Sequence, residues 1–410
     1  MNLSLYIARK YLFARKKFNA INIVSLISAL AVAVGSMALI IVLSVFNGFD
    51  GLIKKLYNVF DPELLITAKE GKTFIADSVF ISKIKEENDI LFIASCIEEN
   101  ALLRYGEKQY IARIKGVSDE YQKVTGVDSM IIEGEFKLKK NNISYAVIGN
   151  GVSYYLGVRL NLVNPIVLYV PRRLASNPLI DPSAAFKSNY IFPSGIFSIQ
   201  SDFDNRYIIV PIEFTRNLLE YQNNEVTSLE LKLKNKSNIK LIKEKLKTKL
   251  GDAYYVKDQY EQNEFFYKIM KSEKWAIYFI LSFILIIASF NMIGSITLLI
   301  IEKKKDIGIL QSLGSTMKNI RKIFLFEGWL ISILGAIFGI IVGLIISWMQ
   351  QTYGLLKLKG SGSFIIDAYP VEIRFFDTII VFIIVLTIGF IASYIPSRYI
   401  TDKFVIKPEE

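Results

Sequence analysis

Histidine is absent from the 410 residues, and cysteine occurs once, at Cys96. The first absence removes the usual general base near neutral pH and the commonest metal ligand. No Ser-His-Asp triad and no HExxH zinc site can be assembled. The second excludes an intrachain disulfide. Acidic residues are missing from residues 1–47, which carry five basic side chains. Charge of either sign is missing from four runs: Phe18 to Phe49, Trp275 to Ile301, Gly328 to Leu356 and Thr378 to Ser397. Each is at least as long as the ~20 residues needed to cross ~30 Å of hydrocarbon.

What is present fits those gaps. The chain is 52% hydrophobic and carries a net charge of +11. The charge is unevenly placed. Segment 48–274 has 32 basic and 29 acidic residues, whereas residues 302–327 carry +3 over a short stretch. The excess flanks apolar runs, as topology signals do. A nucleic-acid partner would instead leave a basic patch on a soluble domain, so none is expected. Lys and Arg before the first run (Arg9, Lys10, Arg15, Lys16, Lys17), between the second and third (Lys303, Lys304, Lys305, Lys318, Arg321, Lys322) and after the fourth (Arg398, Lys403, Lys407) put both termini and the 302–322 loop in the cytoplasm. Segment 48–274 then faces outward.

The fold class expected is an α-helical membrane protein: four transmembrane helices with a large α+β extracytoplasmic domain between the first and second. The boundaries read as a cytoplasmic amphipathic helix 1–17, helix one 18–49, domain 50–274, helix two 275–301, coupling loop 302–322, helix three 323–356, outer loop 357–377, helix four 378–397 and tail 398–410. The first run resembles a signal peptide in its basic flank, but it continues far past a 7–15-residue apolar region. It reads as an uncleaved helix. Leu3, Tyr6, Ile7, Tyr11 and Phe13, interleaved with basic positions, read as an interfacial helix.

No span contains Asp, Glu, Lys, Arg or His in its interior. Ion-coupled carriers place such groups in the bilayer, so energy has to arrive from elsewhere. Small residues recur at helical spacing: Ala31, Gly35 and Ala38 in the first span, and Gly335, Gly339 and Gly343 in the third. Such stripes let helix backbones approach, within one chain or between subunits. In the middle segment, strands are expected over Glu63–Ala68, Phe92–Cys96, Gln109–Val117 and Ile166–Val170, with further candidates at Tyr190–Gln200, Val226–Leu233 and Ala253–Val256. Helices are expected over Ser78–Glu87, Glu213–Tyr221 and Ile239–Leu250. Pro171–Pro193 reads as a loop or hairpin. Gly71-Lys72-Thr73 is not a phosphate loop, because Ile66 stands where the first glycine is needed. No cofactor or metal is expected, and no enzymatic activity.

Several blocks resemble the lipoprotein-releasing (Lol-type) permeases of ABC transporters, within the MacB/FtsX-like permease superfamily. The first span holds Ser28 to Gly35 and ends Leu43-Ser44-Val45-Phe46-Asn47-Gly48-Phe49. Phe265-Phe266, Glu273-Lys274, Ala288-Ser289-Phe290-Asn291, Glu302 to Leu310, Leu313-Gly314 and Pro396-Ser397-Arg398 are similar to further blocks of that family. The resemblance implies a non-catalytic subunit in a bacterial inner membrane. Two copies of an ABC ATPase, a second permease (the same chain or a paralogue), an acylated lipoprotein, a periplasmic carrier and membrane lipid would be its partners.

It also implies roles for residues. Glu302, Lys303, Asp306, Ile307, Leu310, Leu313 and Gly314 would couple to the ATPase, with Ile307, Leu310 and Leu313 as the apolar stripe of a docking helix. Val42, Val45, Phe46, Phe279 and Phe283 would line an acyl-chain cavity, though bilayer-facing residues have the same composition. Arg172, Arg173, Pro178 and Pro182 would form a carrier-binding hairpin. The alternatives are a MacB-like exporter of peptides or drugs, an FtsX-like scaffold that activates cell-wall hydrolases, and a membrane-anchored enzyme.

Overall fold

A computed structural model describes residues 3–12, 20–141, 143–160, 164–173, 185–234, 238–357 and 368–405. The chain divides into two compact units. One contains Ile53–Tyr267; the other contains the described residues up to Leu52 and most of those from Lys268 onward. Pro178 and Pro182 lie outside the described residues, as do Phe13, residues 358–367 of the 357–377 loop and the end of the tail.

The chain opens with α1 (Leu3–Leu12) and α2 (Ala20–Phe60). The middle segment follows as β1 (Leu64–Ala68), β2 (Phe74–Ile75), α3 (Ser78–Lys85), β3 (Ile90–Tyr105), β4 (Lys108–Val117), α4 (Tyr121–Val124), β5 (Ile131–Gly134), β6 (Lys139–Lys140), β7 (Ile143–Gly149), α5 (Asn150–Leu156), β8 (Ile166–Pro171), β9 (Phe186–Phe197), α6 (Ser201–Asp204), β10 (Tyr207–Pro211), α7 (Ile212–Leu219), β11 (Glu225–Val226), β12 (Ser228–Leu233), α8 (Ile239–Leu250), β13 (Tyr254–Asp258) and α9 (Gln259–Gln262). The chain closes with α10 (Glu264–Glu302), α11 (Lys304–Ser312), α12 (Met317–Tyr353) and α13 (Phe375–Val405).

Among the described residues, four helices are long and apolar enough to cross a membrane: α2, α10, α12 and α13. The α+β domain lies between the first and second of them. Two helices overrun the apolar stretches read from sequence. α2 continues to Phe60 and α10 begins at Glu264, because backbone hydrogen bonding carries a helix past the point where its composition turns polar. For the same reason α12 starts at Met317 and includes Glu327, which is 2% exposed. That carboxylate sits on a membrane-length helix, one residue ahead of the charge-free run that begins at Gly328.

In the middle unit the sheet runs β13-β1-β12-β3-β4-β10-β7-β9-β5, with β8 paired to both β3 and β9. The path β3-β4-β10-β7-β9-β8 therefore returns to β3 and closes on itself. The length of β3 permits this. Its first half pairs with β12 on one edge, and Leu102–Arg104 pair with β8 on that edge farther along. Alternating residues such as Ala101, Leu103, Ala112, Ile114, Ile148, Leu168 and Ile208 fill the interior, as the period-2 pleat requires. A second core gathers Tyr57 and Phe60 of α2 with Tyr121, Phe197 and Phe203. Strand β9 begins at Phe186 and pairs antiparallel with β8. The segment expected as Pro171–Pro193 is thus the end of a hairpin whose second strand is already under way at Pro193.

In the other unit, the glycine ladder of α12 receives α2. A Cβ on Gly335 would lie 2.7 Å from the Ala29 carbonyl, and one on Gly343 would lie 3.1 Å from the Met37 carbonyl. Gly339 faces the Ala33 carbonyl and Ser36. The other stripe does not meet this ladder: Gly35 packs against Leu285 of α10. Ala31 and Ala38 are half-buried. The small residues of α12 thus serve packing within the chain.

Candidate functional site

The helices of the membrane unit are tied together by a polar cluster at the end where the 53–267 unit departs. It is built from residues far apart in sequence. Asn47 stands on α2, Lys274 and Tyr278 on α10, and Asp377 in the first turn of α13. Asp377 is 6% exposed. Its carboxylate accepts hydrogen bonds from Asn47 Nδ2 at 2.6 Å, Lys274 Nζ at 2.8 and 2.9 Å, and the Tyr278 hydroxyl at 2.9 Å. Lys274 also donates to Asn47 Oδ1 at 3.1 Å. Every oxygen of a buried carboxylate is thereby satisfied, which is the condition for keeping such a charge out of water.

Beside it, Arg374 pairs with Asp50 at 3.2 Å and Glu372 at 2.9 Å. The Glu372 amide donates to the Ser44 carbonyl at 2.9 Å. Gly48 lies against the Pro370 backbone, where a Cβ would collide. The reason for Asn-Gly at 47–48 is now visible: the asparagine bonds the α13 carboxylate and the glycine admits the chain that leads to it.

The opposite end carries the expected coupling residues. Glu302 ends α10, and Lys303 to Leu313 form and flank α11. Gly314 follows with a φ of +84°, a left-handed conformation that ends the helix without strain. Lys303 and Asp306 pair at 3.2 Å. The expected apolar stripe does not share one surface. Ile307 turns into a core with Met292, Ile320 and Phe324, Leu310 is half-buried, and Leu313 is 78% exposed. Ile309 is the exposed apolar partner of Leu313.

Helix α1 is also engaged here, a contact that its amphipathic pattern did not disclose. Its buried face is Ser4 and Ala8, not the aromatic side. Ser4 Oγ donates to the Asn319 carbonyl at 3.2 Å, and the Tyr11 hydroxyl donates to Asp306 at 3.5 Å. The Lys303 ammonium lies 4.9 Å from the Tyr11 ring centre. Burial and then Asp306 push the Tyr11 hydroxyl up to about 12, so it remains a donor.

The other expected site residues are dispersed. Val42, Phe279 and Phe283 are exposed, the last two by 70% and 63%, and Val45 and Phe46 are half-buried. Arg172 and Arg173 lie at the hairpin base. Arg173 is engaged: it pairs with Glu225 at 2.6 Å and lies over Tyr221. Glu225 also accepts from Thr73 Oγ1 at 2.7 Å. Among the described residues, no group of three or more His, Cys, Asp and Glu could hold a metal ion.

Residues 278–403 match the FtsX-like permease C-terminal family. Over 96% of this chain and 95% of the relative, the sequence is 24% identical to the lipoprotein-releasing system transmembrane protein LolC of Xylella fastidiosa. It is 25% identical to LolC of Neisseria meningitidis (97% and 96% covered) and 22% identical to LolE of Haemophilus influenzae (97% and 96%). The chain thus carries an FtsX-like permease C-terminal domain over residues 278–403 and is similar to lipoprotein-releasing transmembrane proteins over nearly its whole length. Among solved structures, the periplasmic region of MacB from Actinobacillus actinomycetemcomitans covers 50% of this chain and 94% of its own chain, at 12% identity and a TM-score of 0.33. The extracellular domain of YknZ from Gram-positive bacteria covers 48% and 99%, at 12% identity and a TM-score of 0.34. The Asn47 and Lys274 blocks that carried the resemblance are the same ones that meet on Asp377.

Proposed function

We propose that this permease subunit uses ATP hydrolysed by a separate ABC ATPase to release acylated lipoproteins from the inner membrane toward a periplasmic carrier. The observation that carries the reading is similarity to lipoprotein-releasing transmembrane proteins along 96–97% of the chain, through the membrane helices and the middle unit alike. Both termini and α11 lie in the cytoplasm, as the Lys and Arg flanks require, and residues 50–274 lie in the periplasm. Four spans make half a transporter, so a second permease, identical or paralogous, completes it, with two ATPase copies.

The ATPase docks on α11. Ile309 and Leu313 supply the exposed apolar contacts, the half-buried Leu310 lies between them, and Glu302, Lys303 and Asp306 supply the polar rim, the mode of a helix in a groove. Ile307 and Gly314 shape the helix. Val42, Val45, Phe46, Phe279 and Phe283 face the lipid chains. Burial of a chain stabilises it by ~0.8 kcal/mol per CH₂, so extraction needs a driven machine. The hairpin at Arg172 and Arg173, with Pro178 and Pro182, meets the carrier.

Depletion of the protein followed by membrane fractionation tests the reading. Lipoproteins retained in the inner membrane support it. Normal lipoprotein sorting with a cell-division defect would favour the hydrolase-activating scaffold instead.

A further inference from the structure

The 53–267 unit contains a cavity of about 390 Å³ beside the C-terminal end of α2, lined by residues from both sides of the sheet path and from α9. Its floor is charged. Lys115, on β4, pairs with Glu230 on β12 at 2.7 Å and with Glu98 on β3 at 3.2 Å. Its ammonium also lies 4.5 Å from the Phe60 ring centre. Glu230 is 1% exposed, its second oxygen, Oε2, has no N–H or O–H donor, and the Cys96 thiol lies beside the carboxylate. Asp61, immediately after α2, adds a carboxylate that accepts from Asn263. The rim carries the opposite charge: Arg113 and Arg206 are both exposed to solvent.

A buried carboxylate oxygen without a strong donor destabilises the fold. That cost is offset when a donor of positive charge arrives. The floor holds Asp61, Glu98 and Glu230 against Lys115, with Arg113 at 3.7 Å from Glu98, so one carboxylate charge is left for a cation. The arginines at the mouth select an anionic group at the far end. We propose that the cavity binds a small zwitterion, its ammonium seated between Glu230 and Asp61 and its carboxylate or phosphate held by Arg113 and Arg206. Asp202, the remaining acid of the lining, is engaged by the Tyr57 hydroxyl at 3.0 Å, and Tyr207 is engaged by Arg113 at 3.3 Å. The titrating groups that face the ammonium are therefore Asp61, Glu98, Glu230 and Lys115, with Cys96 and Tyr121 close to Lys115 and Glu230. Burial raises the Asp61 carboxyl to about 6, so binding weakens as pH falls from 7.5 to 5.5 and that group takes up its proton.

The test is calorimetry on the full chain in detergent at pH 7.5. The probes are glycylglycine, phosphoethanolamine, N-acetylglycine (no ammonium) and glycinamide (no acid). The expected result is saturable binding of glycylglycine, phosphoethanolamine or both, with each single-ended probe at least about tenfold weaker. Tighter binding of phosphoethanolamine assigns the anionic end to a phosphate, as in a lipid headgroup; tighter binding of glycylglycine assigns it to a free carboxylate. Glu230→Gln removes the ammonium seat but also loosens Lys115. Arg206→Ala, on the exposed rim, is the variant that leaves folding intact, and it lowers affinity about tenfold at an unchanged melting temperature. No saturable heat with either zwitterion overturns the proposal, as does equal affinity of wild type and Arg206→Ala.

Discussion

At the scale of single residues, two carboxylates show how surroundings decide what a charge does. Asp377 collects three donors and holds α2, α10 and α13 together. Replacing Lys274 with Met leaves that carboxylate short of its cation. Because Lys274 is partly exposed, the expected loss is about 1–3 kcal/mol, below the cost of breaking a fully buried pair. It is read as a lower melting temperature in detergent, and Lys274→Met with Asp377→Leu recovers most of it. An unchanged melting temperature in the single variant would show that the cluster holds nothing. Asp61 runs the other way. Burial raises it from 3.8 to about 6, so the folded state binds its proton more tightly than the unfolded chain does. Below pH 4 both states are protonated and nothing is lost. Above pH 6 the folded state bears the full cost, at most ~3 kcal/mol for ~2 units. Asp61→Asn keeps an acceptor for Asn263 and is expected to raise the melting temperature at pH 8 but not at pH 4. A gain of equal size at both would refute the assignment.

At the scale of elements, the long helices are fixed by apolar length, and their partners by where glycine permits contact. Gly339 of α12 lies against the Ala33 carbonyl of α2. Gly339→Leu forces these helices apart and is expected to cost about 1–3 kcal/mol, measured as lost thermal stability. The same substitution at Gly294, around which the structure leaves open space, is the control. Helix α11 is expected to be sensitive on its exposed face. Ile309→Asp and Leu313→Asp should abolish copurification of the ATPase at wild-type stability, whereas Ile307→Asp should lower stability itself. The ends of these elements were less legible. The spacing of Ile307, Leu310 and Leu313 reads as one stripe, but three-residue steps drift around a helix of 3.6 residues per turn. Ile307 then meets the core and Leu313 meets solvent.

At the scale of the whole molecule, four long apolar helices and an intervening α+β domain were visible without coordinates. Copurification with an ABC ATPase, and with a second copy or paralogue of the permease, is expected from mildly solubilised membranes. Failure to recover any nucleotide hydrolase with the intact α11 would remove the proposed mechanism. The helix over Ile239–Leu250 and the strand core of β4 could be read locally, because period and β-branched content report a neighbour's face. The closed strand path could not, because it depends on β8 returning to β3 across more than sixty residues.

Local composition alone determined that this chain spans a lipid phase and that it lacks histidine chemistry. Both follow from transfer free energies and residue inventories, which need no partner. Only the tertiary structure decided that Asn47, Lys274 and Asp377 share one cluster, that Glu327 is buried on a membrane helix, and that Glu230 keeps an oxygen free at the floor of a cavity. Those facts arise from contacts between segments tens to hundreds of residues apart. Pairing of buried charges depends on distances of a few ångströms, and no one-dimensional pattern carries that information.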